Sequence, residues 1–127
     1  MKSLNLPKKV HDYQVFKSVY YAARGLVAGF SREPNLSLQL GVGVISILTT
    51  VYFARFEYLW FHVLFLALTS GLELVNTAFE NLCDLVHPDK SDQVKYIKDI
   101  AAGAVLFAAL AWLSLIVTEI IVILRAL

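Results

Sequence analysis

The chain has 127 residues, of which 58% are apolar or aromatic and only 17% charged, with a net charge of +1 and a mean hydropathy of +0.66. A soluble domain is less apolar and carries about 25% charged residues, and a domain this small leaves much of its surface outside the core. The composition therefore argues against a soluble monomer, excludes a disordered chain, gives no sign of a nucleic-acid partner, and points to one small membrane domain.

The N-terminus shows no secretory signal, since Lys2, Lys8 and Lys9 lead into a mixed segment. From Tyr13 to Phe30, Gln14, Lys17 and Arg24 recur at spacings of three and seven, with Tyr21 on the same stripe. This is a helical period with a narrow polar stripe, which predicts an amphipathic helix at the membrane surface over about 13–30. The alternative is a fourth packed or spanning helix. The run Ser31–Asn35 breaks the pattern, and Pro34 is suited to the first turn of the next helix.

Three long apolar stretches follow, at about 36–53, 58–79 and 100–124. Each is close to or beyond the roughly 20 residues that cross the hydrocarbon core, and none contains Pro. In lipid each must be helical. The first stretch holds Gln39, the second Glu73 and Asn76, and the third Glu119 near its end. The Gly41–Val–Gly43 pair inside the first stretch reads as a helix-packing site. Three crossings put Lys2, Lys8, Lys9, Lys17, Arg24, Arg32, Lys90, Lys95 and Lys98 on one side, against Arg55 and Arg125 on the other. By the positive-inside rule the N-terminus and the 81–99 loop are cytoplasmic.

The second stretch ends in the most informative run, Glu73-Leu-Val-Asn76-Thr-Ala-Phe-Glu80-Asn-Leu-Cys-Asp84. Spacings of three, four and four place the four polar residues on one helix face. Solvation explains Asp84 and Glu80 near the cytoplasmic end. It does not readily explain Glu73, about 10 Å deeper, because an acidic residue at membrane depth marks function by default. The competing account is an interhelical hydrogen-bond network that joins subunits. Beyond a turn at His87–Lys90, Ser91 is placed to cap a helix whose first turns carry Asp92, Lys95, Lys98 and Asp99. Carboxylates beside lysines at the boundary suit a Mg²⁺–phosphate complex, since Mg²⁺ takes one or two carboxylates with phosphate oxygens and water and lysine pairs with phosphate.

No Walker-type or dinucleotide glycine motif occurs, nor H-E-x-x-H or G-x-S-x-G. His11 and His62 are isolated and are not read as ligands. Cys83 is the only cysteine, which excludes an intrachain disulfide and leaves it as a small apolar residue in a helix.

The run Glu73-Leu-Val-Asn-Thr-Ala-Phe-Glu80, then Asp84, then Lys98-Asp99-Ile-Ala-Ala-Gly-Ala-Val-Leu106 resembles the signature of the bacterial diacylglycerol kinase family, which includes undecaprenol kinases. Arg24-Gly25-Leu26 and Glu33 fit the same pattern upstream. The resemblance implies an all-α membrane protein, with an N-terminal surface helix and three transmembrane helices in a homotrimer of the bacterial inner membrane. It implies transfer of the γ-phosphoryl of MgATP to the primary hydroxyl of diacylglycerol or undecaprenol. By resemblance Glu73 is the catalytic base. Glu33 and Glu80 bind the metal of the metal–ATP complex, Lys98 and Asp99 contact nucleotide or phosphate, and Asn76 and Asp84 support the site. Two departures stand out: Pro34 follows Glu33, with Gln39 downstream, and Lys90–Ser91 replaces an aromatic–His pair. With these roles Glu73 meets the lipid hydroxyl, with Lys98 close to the transferred phosphate, while Glu80 faces ATP. Two other classes are open to a chain of this kind: a small proton-coupled transporter and an inert membrane scaffold.

Overall fold

A computed structural model describes residues 8–87, 89 and 91–127, with side chains from Gln14 onward. The readings of Lys2, Lys8, Lys9, His11 and Lys90 lie outside the described residues or side chains. Four helices follow one another: α1 (Lys8–Arg32), α2 (Pro34–Tyr52), α3 (Phe56–Val86) and α4 (Asp92–Ala126). They divide into an N-terminal unit, Met1–Pro34, and a second unit, Asn35–Leu127.

In the N-terminal unit, α1 begins before the expected Tyr13, because Lys8–Asp12 continue the helix. Arg24 lies 5.9 Å from the Tyr20 ring centroid, and Tyr20 and Tyr21 meet edge to face at 5.7 Å. The Glu33 amide donates to the Gly29 carbonyl at 2.9 Å, and the helix stops there. Pro34 then opens α2, where a missing N–H costs nothing because the first-turn amides have no intrahelical acceptor.

In the second unit, α2, α3 and α4 are each long and apolar enough to cross a membrane. At 1.5 Å per residue the 31 residues of α3 and 35 of α4 extend about 46 and 52 Å, beyond a hydrocarbon layer of about 30 Å. The helices therefore overrun the apolar stretches at 58–79 and 100–124: α3 through Glu80 and Asp84, and α4 from Asp92. Ser91 caps α4 as expected, its hydroxyl accepting from the Val94 amide at 3.2 Å, while Asp92 and Arg125 complement the two ends of the helix dipole.

Burial runs opposite to that of a water-soluble bundle. The buried positions are mostly polar: Ser46, Thr50, His62, Thr69, Glu73, Asn76 and Glu119. Large apolar residues such as Trp60, Leu64, Phe107 and Leu110 point outward. A membrane solvates the outer face, whereas polar groups must find partners inside.

The register of α2 against α3 follows from a stripe of small and polar residues. Asn35 meets Glu73, and Ser70 donates to Gln39 at 3.2 Å. Gly43 leaves room for Leu66, whose Cδ2 would lie 2.7 Å from an added Cβ. Gly41 has open space around it, so the expected packing site is Gly43 alone. It falls four residues after Gln39 on the same helix face, whereas Gly41 does not.

At the far end of the stripe, three helices share one polar node. Thr50 of α2 lies 2.7 Å from Glu119 Oε1, His62 Nε2 of α3 lies 2.6 Å from Glu119 Oε2, and Trp112 Nε1 of α4 donates to His62 Nδ1 at 3.1 Å. Indole N–H can only donate, so Nδ1 accepts and the ring proton sits on Nε2, facing the Glu119 carboxyl group. His62, isolated in sequence, is therefore partnered in the fold. Its partners stand 50 and 57 residues away and leave no local pattern.

The link between α2 and α3 stores a small strain. The amides of Ala54 and Arg55 bond the carbonyls of Val51 and Thr50 at 3.1 and 2.8 Å, which is the Schellman pattern. The left-handed position is filled by Ala54, at φ 53°, where glycine is the usual residue. Ala54→Gly is expected to stabilise the fold by about 1 kcal/mol, read as a higher thermal midpoint in detergent.

Candidate active site

The site lies within the second unit, at the end where α2 begins, α3 ends and α4 begins. Successive turns of α3 carry its polar residues from the interior toward solvent. Glu73 is 4% exposed and Asn76 8%, Glu80 is half-buried, and the Asp84 side chain is 66% exposed. Glu73 Oε1 accepts a 2.6 Å hydrogen bond from Asn35 Nδ2. Asn76 Nδ2 donates to Glu80 Oε1 at 3.0 Å. Asn76 Oδ1 is buried without a partner among the described residues, and a buried acceptor left open costs about 1–3 kcal/mol. It is therefore available to a hydroxyl or water entering beside Glu73.

Helix α4 brings the cations. Lys98 Nζ donates to Asp84 Oδ1 at 2.6 Å, joining α4 to α3, and Lys95 Nζ donates to Asp99 Oδ2 at 3.0 Å one turn along the same helix. The hydrogen bond to Asp84 is the main cause of a Lys98 pKa raised above the ordinary lysine value; desolvation opposes it, and the charges of Asp84 and Glu80 add to it. Lys98 stays an ammonium ion throughout the neutral range.

Next to this pair is an open cleft of about 520 Å³, lined by Asp84, His87, Asp89, Ser91, Lys95 and Lys98 among others. The volume suits a small-molecule ligand. Asp84, Asp89, Asp92 and Asp99 outnumber Lys95 and Lys98 in its lining, so a polyphosphate gains from arriving with a cation that offsets the carboxylates. No group of three or more His, Cys, Asp or Glu side chains among the described residues is arranged to hold a metal by itself.

Of the residues singled out from sequence, Glu73, Asn76, Glu80, Asp84, Lys98 and Asp99 share this end of the second unit. Glu33 belongs to the N-terminal unit, as the last residue before α2. Sequence reasoning missed Asn35 and its bond to Glu73. The signal was the four-residue spacing of Asn35, Gln39 and Gly43 along α2, which matches a descending series of Glu73, Ser70 and Leu66 on α3.

Fold and site define an all-helical protein with three potential membrane spans and a polar centre that opens at one end of the bundle. The chain belongs to the prokaryotic diacylglycerol kinase family, whose match covers residues 20–122. It is 38% identical over 99 residues to a diacylglycerol kinase of Synechocystis sp., a stretch that takes in 74% of this chain. The chain spans about half, 55%, of that relative's length. No solved structure matches it.

Proposed function

We propose that this chain is an ATP-dependent lipid kinase that transfers a phosphoryl group to the primary hydroxyl of a membrane lipid, diacylglycerol or undecaprenol. The observation that carries the reading is the polar series on α3. It is buried at Glu73, reaches solvent at Asp84 and there meets Lys98 of α4. A water-soluble nucleotide and a bilayer-held alcohol approach such a series from opposite ends. Membership of the family supports the same assignment.

Phosphoryl transfer asks mainly for positioning and charge neutralisation. Lys98 and Lys95 offer ammonium groups to phosphate oxygens in the cleft, and Lys98 exchanges its Asp84 partner for phosphate. Glu80, its carboxylate bonded by Asn76, would hold the Mg²⁺ that accompanies ATP, and the ion would supply charge neutralisation on the phosphates. The part of Glu33 as a second metal ligand rests on the family resemblance. Glu73 accepts the proton of the lipid hydroxyl as that oxygen bonds to the γ-phosphorus and the bond from phosphorus to the ADP oxygen breaks. Asn76 Oδ1 is the nearby acceptor that can hold the hydroxyl beforehand. The site belongs at the cytoplasmic face of a bacterial inner membrane, consistent with the Lys/Arg asymmetry. The homotrimer rests on the family resemblance; one subunit has few helices to shield a polar face from lipid, so association is expected.

The test is ADP release by the purified chain in detergent, with Mg²⁺ and either diacylglycerol or undecaprenol as sole lipid alcohol. ADP release that depends on one of these lipids, with the matching phospholipid as product, is expected. ADP release indifferent to lipid, or none with either, contradicts the proposal and returns the transporter and scaffold readings.

A further inference from the structure

We infer that Asn35 is a positioning residue for the proposed base, fixing the Glu73 carboxylate in one orientation through Oε1 and leaving Oε2 to take the substrate proton. The inference rests on the kinase reading above and adds a residue to it.

The geometry is specific. Asn35 Nδ2 reaches Glu73 Oε1 at 2.6 Å across 38 residues of sequence, and Glu73 is otherwise buried in the bundle. A free glutamate side chain samples several rotamers, and a base must be held within hydrogen-bond reach of the proton it removes. A carboxamide is suited to this task. It donates to one carboxylate oxygen but carries no charge, so it orients the base without forming an ion pair that would compete with the proton.

Although exposed, Asn35 sits on a helix whose register is fixed. It is the second residue of α2, directly after Pro34, whose ring fixes the first φ of the helix. One and two turns further on, Gln39 bonds Ser70, and Gly43 lets Leu66 approach. These contacts fix the axial register of α2 against α3 and hence the Asn35–Glu73 pair. Asn76, on the same face of α3, is occupied with Glu80 through its amide nitrogen. Asn35 is therefore the residue shown to hold Glu73 among the described residues.

The test uses the full-length chain in detergent with saturating lipid alcohol, comparing Asn35→Leu and Asn35→Gln with wild type. Leu keeps the shape of Asn but has no donor, and Gln keeps the amide on a longer stem. Asn35→Leu is expected to lower kcat by about 10- to 100-fold, the usual range for a displaced reacting group, with the KM for MgATP and the thermal midpoint unchanged. Asn35→Gln is expected to recover part of the lost kcat. Wild-type kcat in Asn35→Leu overturns the inference, as does a loss shared equally by kcat, KM and thermal midpoint, or a Gln variant no better than Leu. A wild-type chain that phosphorylates neither lipid overturns the kinase reading itself, which separates the two failures.

Discussion

Glu73→Gln is expected to lower lipid phosphorylation by about 10²- to 10⁴-fold, the usual contribution of a general base, while MgATP binding stays close to wild type. The substitution is nearly isosteric. Its side-chain oxygen can still accept from Asn35, so the fold and the Asn35 contact persist while the group that takes the proton is lost. Binding persists because Glu73 lies seven residues from Glu80, about 10 Å along the helix, and the cleft near Lys95 and Lys98 does not include it. Isothermal titration or nucleotide fluorescence measures binding, and the transfer assay measures turnover. Equal loss of MgATP affinity in Glu73→Gln and Glu80→Gln would show that the two carboxylates act as one metal site rather than at two ends of a series.

His62→Ala carries the largest expected effect on stability. It leaves Trp112 Nε1–H and one oxygen of Glu119 without partners inside the bundle, where both residues are buried. Each orphaned group costs about 1–3 kcal/mol, and the vacated ring volume adds a cavity term. A destabilisation of about 3 kcal/mol or more is expected, measured by reversible unfolding in mixed detergent and SDS micelles. The activity per folded molecule should be retained, because His62 lies eleven residues from Glu73 on α3, about 16 Å along the axis. A change below 1 kcal/mol would mean that water or alternative partners satisfy the node.

These two residues also show how far the sequence was legible. Glu73 could be found because one helix writes its own face in spacings of three and four, and the same rule located Asn76, Glu80 and Asp84. Ser91 was legible as a cap and Pro34 as a helix start because both are local chemistry. The Lys98–Asp84 pair was half legible: both residues were placed at the boundary, but not joined. The His62–Glu119 node and the Asn35–Glu73 bond depend on the axial register between helices, which no single helix encodes. A membrane also removes the usual guide, since apolar residues face outward and no longer mark the core. The stripe of Gln39, Gly43, Ser46 and Thr50 on α2 was readable as the inward face, because in lipid the small and polar side is the packed one. Ala54 could not have been found, as its left-handed conformation is imposed by the helix junction and not by its residue type.

The destination of the γ-phosphate decides whether the chain is a lipid kinase. The direct measurement supplies ATP labelled at that position, with Mg²⁺, to the chain reconstituted in vesicles that hold a single lipid alcohol, and follows the label after organic extraction. The label is predicted to appear in the lipid phase as a phosphomonoester, one per ADP formed, and to vanish from that phase with Glu73→Gln. Label found only as inorganic phosphate, or retained in ATP while the chain is folded and the lipid present, would contradict it.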